Sequence, residues 1–383
     1  MTLRRAALLL LLLAAGSCTT RHPALTTATG LRLEPVSFAE LPDWQHGAPS
    51  DTLADALAAF RRSCSRLMLL PPEAPIGPGG FAGRASDWGG ACRAAKAADG
   101  GSARAFFQDQ FRPYRLADSA GGYEGLVTGY YLPRVIGART REAGFEVPLY
   151  RRPPDLVASD DGKFGRRVDG AIRPYYTRAE IDAGALAGRD LELVWLANPI
   201  DAFFVSIQGS AEVMLKDGPS MRIGFAANNG QPYVAIGRVL IELGEIKAED
   251  MSLQSLTAWL ATHPDRARDL MERNPRYIFF DQIPGEGPEG AEGVALTAGR
   301  SLAVDPAFLP LGAPVYLDTV DAEGAALRRL MLAQDSGAAI KGPLRADVYW
   351  GAGAIAETAA GAMKSRGQFY LLLPRDVNPG GVN

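Results

Sequence analysis

Residues 333–351 read AQDSGAAIKGPLRADVYWG, and two aspartates in this stretch stand where an apolar strand meets a turn. Asp335 follows the apolar run Leu330–Ala333, and Asp347 precedes the strand-like run Val348–Trp350. A carboxyl group in such a place is partly removed from water, but a ligand can still reach it. Burial raises the pKa of a carboxylic acid, which makes the acid useful as a proton donor.

A third aspartate, Asp305, has a similar setting. It follows the strand-like residues Ala303 and Val304 and precedes a turn at 306–312 that contains proline and glycine. Two such acids side by side would push their pKa values apart, so that one keeps its proton while the other loses it. The alternative role for all three is the capping of turns, which aspartate often performs.

The composition argues against several other kinds of chemistry. The chain has 383 residues, enough for two domains, and a formal net charge of −3 without a basic stripe, which argues against nucleic-acid binding. The three histidines, His22, His46 and His263, lie far from one another in the sequence. A histidine-ligated zinc site or a Ser-His-Asp triad would need one of them well placed. We therefore expect catalysis by carboxyl groups.

The amino-terminal residues have the features of an export signal with a lipid anchor. Arg4 and Arg5 precede the apolar run Ala6–Ala15, which is too short to span a bilayer as a helix. Residues 15–18 read Ala-Gly-Ser-Cys and are similar to a bacterial lipobox, which implies a signal peptide at 1–17 and attachment of lipid to Cys18. Secretion with a different cleavage site is the alternative.

The residues after Cys18 suggest where the lipid would hold the protein. Because Thr19 rather than aspartate follows the cysteine, the chain resembles lipoproteins of the outer membrane that face the periplasm. Residues 18–50 are rich in proline, threonine and polar side chains without periodicity. This composition predicts a tether between the lipid and the body of the protein.

Two further cysteines, Cys64 and Cys92, lie on the apolar faces of predicted helices. Residues 52–69 carry apolar side chains at helical spacing with Cys64 among them, and a second short helix carries Trp88 and Cys92 on one face. An exported protein meets an oxidising compartment, so a Cys64–Cys92 disulfide between the helices is predicted. Two buried free thiols are the alternative, and neither interpretation makes these cysteines catalytic.

The sequence changes from helical to strand-like patterns at Tyr123. Short apolar runs separated by proline and glycine then predict strands at Gly125–Tyr131, Phe145–Tyr150, Leu191–Ala197 and Ala202–Gln208. Helical spacing returns between residues 233 and 272, and strand-like runs follow from Tyr277 onward. The chain is thus predicted to be rich in strands, with helices at its beginning and in its middle.

The chain also resembles a known family. Asp305, Asp335 and Asp347 with their flanking residues resemble the three-aspartate signature of the 3D domain, a double-psi β-barrel. The upstream part is similar to the family of membrane-bound lytic murein transglycosylase A, and the similar segments occur in the order of that family. These segments are Thr128–Tyr131, Pro148–Arg151, Val205–Ser210, Ile236–Leu240 and Gly299–Leu302.

The resemblance implies a mainly β fold with helices. In that fold, a double-psi β-barrel domain carries an inserted β-rich domain, and a groove between the two holds a glycan strand. On this sequence the implied parts are an amino-terminal helical part of the barrel domain at 51–125, the inserted domain at 126–284 and the barrel at 285–383.

The resemblance also implies an activity. It is that of a lytic exotransglycosylase, which cleaves the MurNAc-β-1,4-GlcNAc bond of peptidoglycan and forms 1,6-anhydroMurNAc without a metal or a cofactor. By their match to the motif, Asp347 is the catalytic acid, Asp335 a neighbour that tunes or orients it, and Asp305 the third member. The implied partners are peptidoglycan glycan strands and, through the lipid, a membrane. Cell-wall synthesis enzymes are further candidate partners.

Six other residues are candidate contacts to the substrate. The tyrosines suit stacking on sugar faces, the glutamine and serine suit hydrogen bonds to acetamido groups, and the two basic residues suit a carboxylate or a sugar oxygen. Their alternative roles are core packing, turn capping and simple solvation. The six candidates are Tyr130, Tyr131, Gln208, Ser210, Arg300 and Lys341.

Two other functions are compatible with the residues alone. A glycoside hydrolase would use Asp347 as acid and Asp335 as base toward water, with carboxyl oxygens about 6.5–9.5 Å apart. A hydrogen bond between the two acids would instead favour the transglycosylase. A non-catalytic glycan-binding lipoprotein would leave Asp347 fully exposed and unperturbed.

Overall fold

The computed structural model describes residues 24–45, 53–158, 164–284 and 287–379. The strands in these ranges are β1 Leu25–Thr26, β2 Arg32–Pro35, β3 Phe111–Ala117, β4 Glu124–Leu132, β5 Arg134–Ala138, β6 Val147–Tyr150, β7 Leu156–Ala158, β8 Phe164–Val168, β9 Ala171–Arg173, β10 Glu192–Leu196, β11 Ser210–Leu215, β12 Met221–Asn228, β13 Ile278–Gln282, β14 Ser301–Val304, β15 Pro314–Val320, β16 Ala326–Ser336, β17 Arg345–Ala352 and β18 Lys364–Pro374. The α-helices are α1 Ala54–Leu67, α2 Ala85–Ala97, α3 Ala103–Gln110, α4 Arg178–Asp182, α5 Pro199–Gln208, α6 Ile236–Glu242, α7 Leu253–Thr262, α8 Pro264–Glu272 and α9 Ala354–Ala362.

Six strands close into a barrel, in the order β4-β18-β15-β16-β14-β17 and back to β4. Closure depends on β4, which pairs in parallel with β17 and antiparallel with β18. Strands β3, β2 and β1 extend the same sheet outward from β18. The barrel strands supply fully buried apolar side chains such as Leu302, Val315, Leu330 and Leu371. The predicted mainly β fold with a barrel is confirmed.

The amino-terminal helices pack on the barrel and share one apolar cluster with it. In this cluster Phe60 of α1 contacts the rings of Phe106 and Phe111, with centroids 5.9 and 5.3 Å apart. Helices α1 and α2 are joined by a disulfide between Cys64 and Cys92, whose Cα atoms are 5.4 Å apart. The two helices are therefore linked covalently and pack together against the barrel.

Residues 24–45 belong to the folded body. Strand β2 pairs with β3, and Leu31, Leu33, Leu41 and Trp44 are buried in the apolar cluster of the barrel. The prediction of a tether at 18–50 is therefore wrong over these residues. Apolar residues alternate with charged ones at 31–34, but this strand pattern is too short to stand out from a polar segment. The predicted signal peptide at 1–17, the lipidation site Cys18 and the remainder of the tether lie outside the described residues.

None of the helices within the described ranges is long and apolar enough to cross a membrane.

Between β4 and β14 the chain leaves the barrel and forms a second β-rich body. Its main sheet has six strands in the order β13-β12-β11-β5-β10-β6, and β7, β8 and β9 form a separate small sheet. Strand β4 overlaps the beginning of the segment 126–284, but its own partners, β17 and β18, are barrel strands. Thus β4 is the element through which the barrel and the second body are connected.

The strand predicted at Ala202–Gln208 is wrong, because these residues belong to helix α5. The Asn198 side chain caps the helix by accepting a hydrogen bond from the Ile200 N–H, and Gly209 ends it in the left-handed conformation with φ of 78°. The helix lies between two apolar clusters and is therefore apolar on more than one face. A short continuous apolar run of this kind cannot be told from a strand by periodicity.

The disulfide supports a prediction about stability. Replacing both Cys64 and Cys92 by alanine should lower the free energy of unfolding by about 2–4 kcal/mol, because the unfolded chain regains the freedom of the closed loop. Urea unfolding followed by circular dichroism measures the change. Reducing the unmodified protein should give a loss of similar size and should leave the double variant unaffected. Equal stability of the variant and the oxidised parent would contradict the prediction.

Candidate active site

Strand register brings Asp335 and Asp347 onto one row of neighbouring strands. In β14, Ala303 lies opposite Asp335 of β16 on one side and opposite Asp347 of β17 on the other. Strand β17 also pairs with β4, so that Thr128 lies beside Asp347. Neighbouring strands are about 4.8 Å apart, and the side chain between the two aspartates is only a methyl group. Ala303 therefore leaves open space between the two carboxyl groups.

The Asp347 side chain is largely buried, with 17% of its surface exposed. Its Oδ1 accepts a hydrogen bond from the Thr128 hydroxyl and lies 4.0 Å from Nη1 of Arg345. Arg345 also donates from Nη2 to the Thr128 hydroxyl oxygen, at 2.8 Å. Burial raises the pKa of Asp347 to about 6, against the lowering effects of Arg345 and Thr128. This carboxyl group therefore keeps its proton at mildly acidic pH.

Asp335 accepts three hydrogen bonds from the protein. Its Oδ1 accepts hydrogen bonds from the N–H groups of Ala291, at 2.9 Å, and Ser336, at 2.8 Å. Its Oδ2 accepts a hydrogen bond of 2.8 Å from the Tyr130 hydroxyl. Burial raises the pKa of Asp335, although these three donors oppose the effect. The arrangement fixes Tyr130 and the segment around Ala291 in place beside Asp347.

Asp305 lies at the side of this pair and is buried, with 4% of its surface exposed. Its carboxyl oxygens accept hydrogen bonds from the N–H groups of Gly342, at 2.9 Å, and Ala307, at 3.2 Å. Nζ of Lys341 is 3.7 Å from its Oδ1, and the rest of the lysine side chain is exposed. Asp305 thus holds the loop between β16 and β17 against the end of β14.

The Asp347 carboxyl opens into a groove of about 940 Å³ between the barrel and the second body. The barrel contributes Tyr130, Ala303, Asp335 and Asp347 to the lining, and Ile340 and Lys341 lie at one edge. The second body contributes both polar and apolar side chains. These include Arg178, Gln208, Ser210, Phe225, Tyr233, Asn274, Arg276 and Ile278. A cleft of this volume with convergent polar groups is typical of a ligand site.

Four of the six predicted substrate contacts line this groove, namely Tyr130, Gln208, Ser210 and Lys341. Tyr131 lies elsewhere, packed against Ala356 and Ala360 of α9, because successive side chains of a strand point to opposite faces. Only one tyrosine of the pair can therefore face the groove.

Arg300 also lies away from the groove. It is 5% exposed, and its Nη1 donates a hydrogen bond of 3.0 Å to the Leu330 carbonyl oxygen inside the barrel. Burial and, to a smaller extent, the neighbouring Arg329 lower the pKa of Arg300 to about 10. Arg300 thus connects the start of β14 to β16 and is not among the residues that line the groove.

Sequence reasoning missed several residues of the site. Thr128 donates a hydrogen bond to Asp347 and Arg345 lies close to it, but no local sequence pattern around either residue indicates this role. Tyr233 is a third, because burial and the Asp347 carboxylate raise the pKa of its hydroxyl. Phe225, at 55% exposure, offers an aromatic face to the groove. For these residues the informative signal is strand register and tertiary packing, which the sequence does not display.

No cluster of three or more His, Cys, Asp or Glu side chains that could hold a metal ion occurs in the described parts of the chain.

Comparison with known proteins identifies the family of the chain and agrees with its fold. A family model described as the 3D domain matches residues 300–373, which contain all three aspartates. A second model, described as the MltA specific insert domain, matches residues 126–281. Together they define a barrel protein with a characteristic insertion. The chain belongs to the membrane-bound lytic murein transglycosylase A family, which confirms the resemblance found in the sequence.

Individual relatives support this assignment. Membrane-bound lytic murein transglycosylase A of Escherichia coli K12 is 35% identical over 264 residues, which cover 67% of each chain. A membrane-bound lytic murein transglycosylase from Agrobacterium tumefaciens superimposes with a TM-score of 0.80 and 34% identity, covering 90% of this chain and 98% of the other. The Escherichia coli enzyme with bound chitohexaose superimposes with a TM-score of 0.67 and 29% identity, covering 88% and 94%.

The raised pKa of Asp347 predicts that this residue costs stability at neutral pH. The pKa moves from an ordinary value of 3.8 to about 6, so the folded state binds this proton more tightly than the unfolded state, by about 3 kcal/mol. Stability contributed by the protonated group is present below pH 3.8 and is lost as pH rises to about 6. Asp347→Asn should therefore unfold with a higher free energy than the parent at pH 8, by up to about 3 kcal/mol, and with a similar one at pH 4.

Chemical denaturation at both pH values measures this difference. The matched control is Asp109→Asn, since Asp109 is an exposed residue of α3, remote from the groove. The control should show no pH-dependent gain. A parent protein as stable as Asp347→Asn at pH 8 would contradict the pKa assigned to Asp347.

Proposed function

We propose that this protein is a lytic transglycosylase that cleaves the MurNAc-β-1,4-GlcNAc bond of peptidoglycan, with Asp347 as its single catalytic acid and base. Its relatives carry the name lytic murein transglycosylase. The observation that carries the proposal is the buried Asp347 carboxyl with its raised pKa, open to a glycan-sized groove. Among the described residues that line the groove, the two other acids are less suited to this role, because Asp335 already accepts three hydrogen bonds from the protein and Glu289 is exposed.

The first step of the proposed reaction is proton donation. Protonated Asp347 gives its proton to the glycosidic oxygen as the bond to C1 of MurNAc lengthens and the sugar gains oxocarbenium character. The carboxylate left behind is stabilised by the Thr128 hydroxyl and the Arg345 guanidinium, which favour the charged form. These two residues therefore make proton loss easier at the moment when the bond breaks.

In the second step the substrate supplies its own nucleophile. The C6 hydroxyl of the same MurNAc attacks C1, and the Asp347 carboxylate takes up the hydroxyl proton. The products are a 1,6-anhydroMurNAc end and a free GlcNAc hydroxyl, and Asp347 is protonated again. Because the attack is intramolecular, its effective concentration is high, and no protein group has to hold a water molecule.

The surroundings of Asp335 favour this reaction over hydrolysis. No hydrogen bond within the described residues joins Asp335 to Asp347, so contact between the acids does not distinguish the two reactions here. A hydrolytic base needs a free lone pair directed at a water. In Asp335, Oδ1 accepts from both Ala291 and Ser336, and Oδ2 accepts from Tyr130, so only one lone pair of Oδ2 is left. Its role in this proposal is to position Tyr130 and the segment 287–293.

The groove offers suitable contacts for a sugar chain. Tyr130 packs against Tyr349, with ring centroids 5.3 Å apart, and borders the groove beside both aspartates. Phe225 offers an apolar ring on the opposite wall, while Gln208 and Ser210 offer polar groups. We assign sugar stacking to Phe225 and Tyr130, and hydrogen bonds with acetamido groups to Gln208 and Ser210.

The proposed location is the outer membrane, with the protein facing the periplasm and anchored by lipid at Cys18. The support is the lipobox-like sequence at 15–18 and the membrane-bound description of the relatives. Labelling of the expressed full chain with a radioactive fatty acid, with Cys18→Ala as the control, tests the anchor. Equal labelling of the two proteins would place the lipid elsewhere.

The reaction itself is tested by mass spectrometry of the fragments released from purified sacculi. We expect muropeptides with 1,6-anhydro ends, lighter by one water than hydrolysis products, and a rate at least about a thousandfold lower for Asp347→Asn. The Asp109→Asn control should release the same products at the parent rate. Reducing-end products would instead indicate a hydrolase, and no release by folded parent protein would indicate a binding module.

The pH dependence gives a second test of the acid. Because Asp347 must be protonated in the free enzyme, kcat/KM should fall as pH rises above about 6. Removing the positive charge in Arg345→Gln should raise the pKa of Asp347 and lower the maximal rate. The fall of kcat/KM, which is the basic limb of the pH profile, should then occur at higher pH. Arg273→Gln, which removes an exposed arginine outside the groove, should leave the limb in place. If the basic limb of the Arg345→Gln profile stayed at the same pH, the limb would have to be assigned to a group other than Asp347.

A further inference from the structure

The wall of the groove that faces the two aspartates carries an unusual concentration of unpaired positive charge. Arg178 and Arg276 both line the groove on this wall, and so does Asn274, two residues before Arg276. Within the described residues, no carboxylate lies within ion-pair distance of either guanidinium. The nearest acids on the surrounding elements are Asp182 and Glu272, which act on Arg178 from a longer distance.

Arg178 is positioned by packing rather than by an acid. It is 4% exposed, and its guanidinium lies over the rings of Phe203 and Tyr277, at 4.8 and 5.2 Å from their centroids. One nitrogen, Nη2, donates to the Arg276 carbonyl oxygen at 3.0 Å, while Nε has no hydrogen-bond partner. A buried guanidinium that lacks a full set of acceptors is costly unless a ligand supplies them.

Arg276 is the more accessible of the two arginines. It is half-buried, and its Nη1 donates only a long hydrogen bond of 3.3 Å, to the Gln231 carbonyl oxygen. Burial lowers the pKa of its guanidinium, with no acid to oppose the effect. The Asn274 side chain uses its oxygen to accept from the N–H groups of Val234 and Arg276. Its amide nitrogen makes no hydrogen bond to another described residue, and the residue lines the groove.

We propose that Arg276, assisted by Arg178 and Asn274, binds a carboxylate carried by the MurNAc residues of the glycan strand. The planar fork of a guanidinium matches a carboxylate in two parallel hydrogen bonds, and a neutral acetamido or hydroxyl group cannot use the charge in this way. In peptidoglycan the carboxylate belongs either to a free lactyl group or to the stem peptide attached to it. The subsite thus distinguishes peptidoglycan from an uncharged glucosamine polymer, and it rests on the proposed function.

The test measures binding without turnover, in the full chain carrying Asp347→Asn. The probes are peptide-free GlcNAc-MurNAc strands, the same strands with each lactyl carboxylate converted to its N-methylamide, peptide-bearing strands and chitohexaose. Calorimetry gives the affinity for each. The carboxylate strands should bind at least about tenfold more tightly than the amide strands. Chitohexaose should bind like the amide strands.

Adding Arg276→Gln should remove the difference in affinity between carboxylate and amide strands. The affinity for chitohexaose should stay within about twofold of the value for the Asp347→Asn protein. Arg276→Lys, which keeps the charge and loses the fork, should retain part of the difference between carboxylate and amide strands. The matched control is Arg273→Gln, an exposed arginine three residues earlier that does not line the groove, and it should behave like the parent. If the protein prefers peptide-free carboxylate strands to the amide strands, the site binds the lactyl carboxylate. If only the peptide-bearing strands bind more tightly, and Arg276→Gln removes that gain, the site binds a carboxylate of the stem peptide.

Two results would overturn the proposal. One is equal affinity of the parent for carboxylate and amide strands with no gain from stem peptides. The other is an equal loss of affinity for all four probes in Arg276→Gln, since that would describe a sugar contact or a structural role. Either result would leave the release of anhydro muropeptides intact. Cleavage of the strands by the Asp347→Asn protein would instead appear as products and would contradict the proposed function.

Discussion

The pairing of β4 with two barrel strands is the interaction on which the rest of the structure depends. By pairing with β17 and β18 it closes the barrel, and it also sets Thr128 beside Asp347. The close approach requires glycine: a Cβ at Gly125 would lie 1.8 Å from the Leu344 carbonyl oxygen, and one at Gly129 would lie 2.7 Å from the Ala360 Cα. A side chain at Gly125 would collide with the residue just before β17, and one at Gly129 would collide with helix α9.

The environment of the acid is built mainly by removing water. Burial is the largest cause of the raised pKa of Asp347, ahead of any repulsion from Asp335. The segment that covers Asp335 is in turn held by helix α1, because Ser63 donates to the Glu292 carboxylate at 2.8 Å and accepts from Gln334 at 2.9 Å. The disulfide-linked helices therefore support the site from behind, although no residue of theirs lines the groove.

The sequence was most informative where chemistry and local structure coincide. Asp335 and Asp347 could be selected because each stands at a strand end, and the family resemblance then supplied the barrel. Thr128 could not be selected in the same way, since its contact with Asp347 joins residues 219 positions apart and depends on register.

Helix α5 was misread because its apolar residues pack into two apolar clusters at once. The capping residues Asn198 and Gly209 carried the correct signal. The tether was misread because only a few large side chains, such as Trp44, reveal that it packs.

The two points at which the chain leaves and re-enters the barrel lie at the same end of β17. Leu132, the last residue of β4, pairs with Ala352, and Gly299, just before β14, donates a hydrogen bond to the Tyr349 carbonyl oxygen. The strand that carries Asp347 is therefore hydrogen-bonded to both segments that connect the barrel with the second body. If the second body changed its angle to the barrel, it would therefore pull directly on β17. The same movement would change both the width of the groove and the exposure of Asp347 to water.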